Sequence, residues 1–373
     1  VEIGEGGADV WMGTQLVTID HQVVAKTLGL PLEQVFMHQT LAGGSFGRLG
    51  TPNGEFAGEA TAIAKAWGKG PVKHLWSREN DIRGGQYRPL VVHRLRGGLD
   101  AAGTITAWDQ VIATQSFLRG SLLDPTSQIK IDNSAVEGAR GLNYKIPNLR
   151  VGLHLMTNGV PASFWRSVAV SHTGFAVESF MDELLTLGGK DPVKGRLALI
   201  RDEEPRLKAV LNRVAEMARW SGPKGKSGRA YGVAAMKCFR SYVAQIVEIS
   251  LGDGGLPRVH KVWCAIDCGV AINPDIIRAQ MEGGIGFALG AALFDEITLA
   301  ADGQPEQSNF DSYRALRVTE MPAIDVSIIK STADPTGVGE PGVPALAPAV
   351  ANAYRALTRK SVRILPFARG VLA

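Results

Sequence analysis

The sequence has 373 residues, 45% hydrophobic and 20% charged, which is ordinary for a globular protein of two or three domains with substantial cores. Its formal net charge of +4 comes from lysines and arginines scattered singly, which excludes the basic footprint of a nucleic-acid binder. Three cysteines without Cys-x-x-Cys spacing and seven histidines without a His-x-x-x-His pair exclude a disulfide framework and argue against a protein-ligated metal.

Along the chain, residues 8–12 read as a strand. Thr14 opens a helical pattern through Leu28, with Val17, Val23, Val24 and Leu28 on one side and Gly29 as the stop. A short strand over 34–39 leads into the glycine loop Gly43-Gly44-Ser45-Phe46-Gly47-Arg48. A helix over 57–67 and a strand over 72–76 follow. Residues 91–99 and 104–114 form a hairpin turned at Asp100-Ala101-Ala102-Gly103. Helices are predicted over 173–187 and 204–220.

A Gly/Lys/Pro linker at 221–228 marks an internal boundary, so lobes of 1–220 and 229–373 are expected. The linker contains Gly225-Lys226-Ser227, a fragment of a phosphate loop. That motif needs a glycine five positions before Gly225, where Trp220 stands, so a phosphate loop is rejected. A second hairpin, 242–252 with 258–267, turns around Asp253-Gly254-Gly255. Asn273 then caps a helix with Pro274 at its first position. This helix carries Gln280 and the glycines Gly283, Gly284, Gly286 and Gly290, a face suited either to tight helix packing or to a flat cofactor. The apolar run over 285–299 is broken by Gly286, Gly290 and Asp295 and falls short of the ~20 residues of a membrane span. A final helix over 344–358 completes an α+β pattern.

Four segments carry chemistry. The loop at 43–48 can point backbone N–H groups at an oxyanion. Arg166 lies beside Phe164 and Trp165 after the loop at Pro161. Gln280 offers an amide. Glu340, in Gly337-Val338-Gly339-Glu340-Pro341-Gly342-Val343-Pro344, is a carboxylate on a turn stiffened by glycine and proline. Such rigidity suits a general base, which must be placed within hydrogen-bond reach. One base, several donors and no hydrolytic triad point to a bound cofactor that does the difficult chemistry.

Together these segments resemble the catalytic subunit of the molybdenum hydroxylases, the xanthine dehydrogenase and aldehyde oxidase family, in its isoquinoline 1-oxidoreductase β-subunit branch. The resemblance rests on Thr14-Gln15, Gly29-Leu30-Pro31, the loop Gly43-Gly44-Ser45-Phe46-Gly47, and Ala162-Ser163-Phe164-Trp165-Arg166-Ser167-Val168. It continues through Glu178-Ser179-Phe180-Met181-Asp182-Glu183-Leu184, Asp267-Cys268-Gly269 with Asn273-Pro274, Gln280-Met281-Glu282-Gly283-Gly284, and the segment around Glu340.

The resemblance implies an α+β, two-lobed molybdopterin-binding fold with mixed sheets and packed helices. It implies a bacterial oxidoreductase that hydroxylates an aldehyde or N-heteroaromatic carbon, with water as oxygen donor and Glu340 as general base. Gln15, Gly44, Ser45, Phe46, Gly47 and Arg48 would then bind the cofactor from one side, and Gln280, Gly283, Gly284 and Gly339 from another. Arg166 and Trp165 would face substrate. The cofactor would be molybdenum with molybdopterin cytosine dinucleotide. Electrons would leave through [2Fe–2S] clusters on a small partner subunit and then a cytochrome c.

Two departures stand out. Ser45 replaces the middle glycine of the loop, which it fits only at negative φ. A Gly-Gln-Gly-type segment that the family uses to hold the dinucleotide is missing. The chain is therefore expected to be the C-terminal part of a catalytic subunit, completed by an N-terminal part or by a separate chain in a hetero-oligomer. A periplasmic or membrane-associated complex is the expected location, with the cytoplasm as the alternative. A non-catalytic scaffold paralogue that packs electron-transfer subunits is the competing reading.

Overall fold

The computed structural model describes residues 1–225 and 227–372, so Lys226 of the rejected phosphate-loop fragment lies outside the described residues. The chain gathers into two compact units. The first comprises Val1–Val91, Thr114–Ala135 and Leu155–Arg166, and the second Val92–Ala113, Val136–His154 and Ser167–Ala373. These units cut the chain at other places than the linker at 221–228.

In the first unit, β1 (Glu2–Gly4), β2 (Gly7–Met12) and β3 (Val35–Gln39) form a sheet in that order, β1 antiparallel and β3 parallel to β2. A parallel pair needs a crossover, and α1 (Val17–Leu28) supplies it. Gly29 ends α1 in the left-handed region, its N–H bonded to the Ala25 carbonyl, as its place after the periodic pattern predicts. Alternate residues Val10 and Val35 face Val24 and Ala25 of α1 and Ala57 of α2 (Glu55–Trp67), making one small core. Beyond α2, Ser77 caps the short α3 (Arg78–Gly84).

The strand expected over 72–76 is absent. Val72, His74 and Trp76 do alternate inward, and Trp76 packs edge-on against Phe56. The segment, however, pairs only at Val72, which exchanges hydrogen bonds with Val1. Alternation without a neighbouring ladder leaves extended chain rather than sheet.

The second unit holds two sheets. One has the order β4 (Val91–Leu99), β5 (Ile105–Thr114) and β6 (Asn148–Leu155). The other joins β7 (Ala230–Cys238), β8 (Ser241–Leu251), β9 (Pro257–Asp267) and β10 (Ala323–Ile328), with β10 parallel to β9 and the rest antiparallel. β8 is buried almost continuously because helices pack against this sheet. They are α4 (Val170–Leu187), α6 (Pro205–Met217), α7 (Pro274–Leu293) and α8 (Leu346–Thr358), while α5 (Pro192–Leu199) packs on α4 and α6 and α9 (Phe367–Leu372) on α7. α4 and α8 pack against β7, and α6 against β8 and β9, which is why residues on both sides of the linker share one unit.

A buried charge network locks these helices together. Arg196 of α5 donates to Glu178 at 2.9 Å and to Asp182 at 3.1 Å, both on α4. The Tyr144 hydroxyl and the Ala235 N–H also donate to the Glu178 carboxylate, and Arg355 of α8 donates to Asp182. Removing one partner from such a set costs about 3–5 kcal/mol, because the remaining charge is stranded without water. The motif Glu178–Leu184 is therefore a structural keystone. Asp267 plays a similar part, taking two hydrogen bonds from Arg206 of α6 and one from the Gly269 N–H.

All three cysteines are free and buried. Burial pushes the Cys264 thiol up to about 12. Among the described residues no helix is long and apolar enough to cross a membrane.

Candidate functional site

The first unit builds a donor-lined glycine loop. The Gln15 N–H bonds the Leu49 carbonyl at 3.1 Å, which holds Gln15 at the entrance to α1 beside the loop. The Thr14 hydroxyl donates to Asp20 and accepts from the Leu16 N–H, fixing the same entrance. Burial raises the Asp20 pKa, and the Thr14 hydroxyl offsets part of that rise. Within the loop, Gly43 (φ 70°), Gly44 (φ 131°), Phe46 (φ 55°) and Gly47 (φ 102°) lie in left-handed territory, whereas Ser45 does not. The serine thus occupies the one position of this run where a side chain is unstrained.

The Ser45 hydroxyl donates to Gln15 Oε1 and accepts from the Leu49 N–H. That leaves the Gln15 amide nitrogen without a protein partner among the described residues. The N–H groups of Gly43, Gly44, Ser45 and Gly47 likewise donate to no described residue. Successive unpaired N–H groups in such a backbone make an anion-binding concavity. Gly47 is also packed so closely on the Phe164 carbonyl that an added Cβ would lie 2.5 Å from it.

Arg166 closes the loop from behind, its N–H bonding the Phe46 carbonyl at 2.9 Å and its guanidinium 6.0 Å from the Phe46 ring centre. Trp165 is half-buried, and Arg88 covers one face of its ring at 4.4 Å. Desolvation lowers the Arg88 pKa to about 10. Arg88 was invisible in the sequence, where it is one arginine among many. Arg48 is spent inside the protein: it pairs with Glu55 and lies 4.2 Å from the Phe56 ring centre. Its backbone N–H donates to the Ser45 carbonyl.

The second unit carries Glu340 on a loop held from several directions. The Glu340 carbonyl accepts from the Ser167 hydroxyl at 2.8 Å and from the Val343 N–H at 3.0 Å. The Gly342 carbonyl accepts from the buried Gln245 side chain at 2.9 Å. Upstream, the Gly337 N–H bonds the Phe239 carbonyl, and the Gly337 carbonyl accepts from the Ser241 hydroxyl. Glu340 itself is half-buried.

The glycines of this loop do not serve unusual φ, since neither Gly337, Gly339 nor Gly342 is left-handed. They serve close approach. A Cβ on Gly342 would lie 2.9 Å from the Met281 carbonyl of α7, and one on Gly337 would lie 3.1 Å from Phe239. Gly284, expected at the cofactor, is buried with Gly342 and Val343 against it, so it packs the Glu340 loop onto α7. Gly283 and Gly339 have open space where a Cβ would go, and Gln280 is half-buried one turn before Gly283. α7 starts as the sequence indicates, the Asn273 side chain accepting from the Asp275 and Ile276 N–H groups. Ser167, Phe239, Ser241 and Gln245 were not singled out as site residues. They act through long-range contacts that no local pattern encodes.

The molybdopterin cofactor-binding domain family matches residues 1–198 and again residues 192–322. The isoquinoline 1-oxidoreductase subunit beta of Brevundimonas diminuta is 31% identical over 366 residues, covering 97% of this chain and 46% of the relative. A protein of Gluconacetobacter polyoxogenes named membrane-bound aldehyde dehydrogenase [pyrroloquinoline-quinone] is 29% identical, covering 94% of this chain and 48% of its own. This chain thus spans about half the length of these relatives. The fold matches the quinoline 2-oxidoreductase of Pseudomonas putida 86 with a TM-score of 0.81 at 14% identity, over 98% of this chain and 72% of that one. It matches the aldehyde oxidoreductase of Desulfovibrio gigas at 0.79 and 15%, over 99% and 58%. The α+β architecture expected from the sequence is thus that of these enzymes, and the chain belongs to the molybdopterin cofactor-binding domain family.

Proposed function

We propose that this chain forms part of the catalytic subunit of a molybdenum hydroxylase, which oxidises an aldehyde or N-heteroaromatic carbon and draws the oxygen from water. The observation that carries this reading is the Glu340 loop: a half-buried carboxylate whose backbone is fixed by Ser167, Gln245 and Phe239. A surface acid has no use for such an anchor, whereas a base that must meet one proton does. The names of relatives support the substrate class, since they include an isoquinoline oxidoreductase, an aldehyde dehydrogenase and a nicotinate dehydrogenase.

The donor sets fit the cofactor. The unpaired N–H groups of Gly43, Gly44, Ser45 and Gly47 and the Gln15 amide would hold the metal group. The space beside the α-carbons of Gly283 and Gly339, with Gln280, would take the pterin. When bound, this group supplies two-electron oxidising power and Lewis acidity. Glu340 accepts the proton of the attacking water oxygen. Arg166 orients a carbonyl or anionic group of the substrate, and Trp165 meets a flat ring.

In the same reading the pterin carries a cytosine dinucleotide, and electrons leave through [2Fe–2S] clusters of a partner subunit. The purified complex should contain stoichiometric molybdenum and release a pterin on acid extraction. Complex free of both, when expressed with an intact cofactor supply, would instead mark the chain as a scaffold.

A further inference from the structure

Ser167 and Val168 are consecutive non-glycine residues in the left-handed region, at φ 77° and φ 46°. For a β-branched valine that conformation is a real outlier. The turn is held by Ser171, whose side chain and N–H both donate to the Val168 carbonyl. Ser167 is fully buried. Glycine would adopt its φ without strain. What glycine lacks is a hydroxyl.

That hydroxyl donates to the Glu340 carbonyl at 2.8 Å. Nearby, desolvation and the Glu137 and Glu340 carboxylates push the buried Cys238 thiol well above its ordinary pKa, and the Ser167 hydroxyl offsets part of that rise. With Val343 also donating to the Glu340 carbonyl, the peptide plane after Glu340 is fixed by two bonds, and the start of its side chain is fixed with it.

We propose that Ser167 is a positioning residue for the base: its hydroxyl, presented by a strained left-handed turn, sets the direction in which the Glu340 carboxylate points. This rests on the reading of Glu340 as the base. Strain of this kind persists where the surroundings over-determine it and clusters at functional sites.

The test uses the purified complex with Ser167→Gly and Ser167→Ala, beside Glu340→Gln. Both serine variants lose the hydroxyl, and only the glycine relieves φ. A displaced base loses roughly 10- to 100-fold in kcat. Both variants should show that loss with KM unchanged, and Ser167→Gly should melt at or above the parent temperature. In cofactor-free protein the Val343 amide should exchange faster with solvent. Parental kcat in either variant, or a kcat loss that tracks a lower melting temperature, overturns the proposal. If Glu340→Gln is inactive while Ser167→Gly is not, only the positioning role falls. If Glu340→Gln is active, the reading of the base falls with it.

Discussion

The loops at 43–48 and 337–344 are both rich in glycine, yet they use it for opposite purposes. In the first, Gly43, Gly44 and Gly47 are left-handed, and their N–H groups donate to no described residue. In the second no glycine is left-handed. There Gly337 and Gly342 let one backbone press against Phe239 and Met281. In the reading proposed above, the first loop offers donors to the cofactor. The second is a bracket for one carboxylate. Their shared composition hides this difference between left-handed turns and close packing.

Substitution of single glycines probes this contrast. Gly47→Ala should have the largest structural effect, because φ 102° and a 2.5 Å approach to the Phe164 carbonyl both oppose a Cβ. A loss of about 3 kcal/mol or more in urea unfolding is expected, together with loss of bound pterin. Gly342→Ala meets the Met281 and Gln280 carbonyls of α7, without φ strain. It should cost about 1–3 kcal/mol, and lower kcat more than pterin content. Gly339→Ala has open space and no left-handed φ, so a shift within about 0.5 kcal/mol is expected. A larger loss of stability there would mean that this glycine, too, is packed. Loss of pterin with unchanged stability would place Gly339 against the cofactor.

Much of this was legible in the sequence, for definite reasons. Asn273-Pro274 announced the start of α7, and Gly29 the end of α1, because caps are local chemistry. Asp191-Pro192 carries the same signal for α5, with Asp191 accepting from the Val193 and Lys194 N–H groups, and it was overlooked. The strand at 72–76 was misread because alternation reports one-sided burial and says nothing about a pairing partner. β7 was missed because its turn into β8 is built from Phe239 and Arg240 at positive φ, without the Asn or Gly that usually signals such a turn.

At the site, Glu340 stood out because glycine and proline flank it. Its anchors did not. Ser167 lies 173 positions away in the chain and Gln245 is 97 from Gly342. At Gly284 a close backbone and a flat ligand demand the same absence of a side chain, so the sequence does not separate the two.

The most direct measurement of the central claim is turnover by Glu340→Gln in the purified complex, with molybdenum and pterin assayed on the same sample. The amide keeps the shape and loses the base, so cofactor content should match the parent while kcat falls by about 10²- to 10⁴-fold. A variant that keeps both its cofactor and a near-parental kcat would contradict the account.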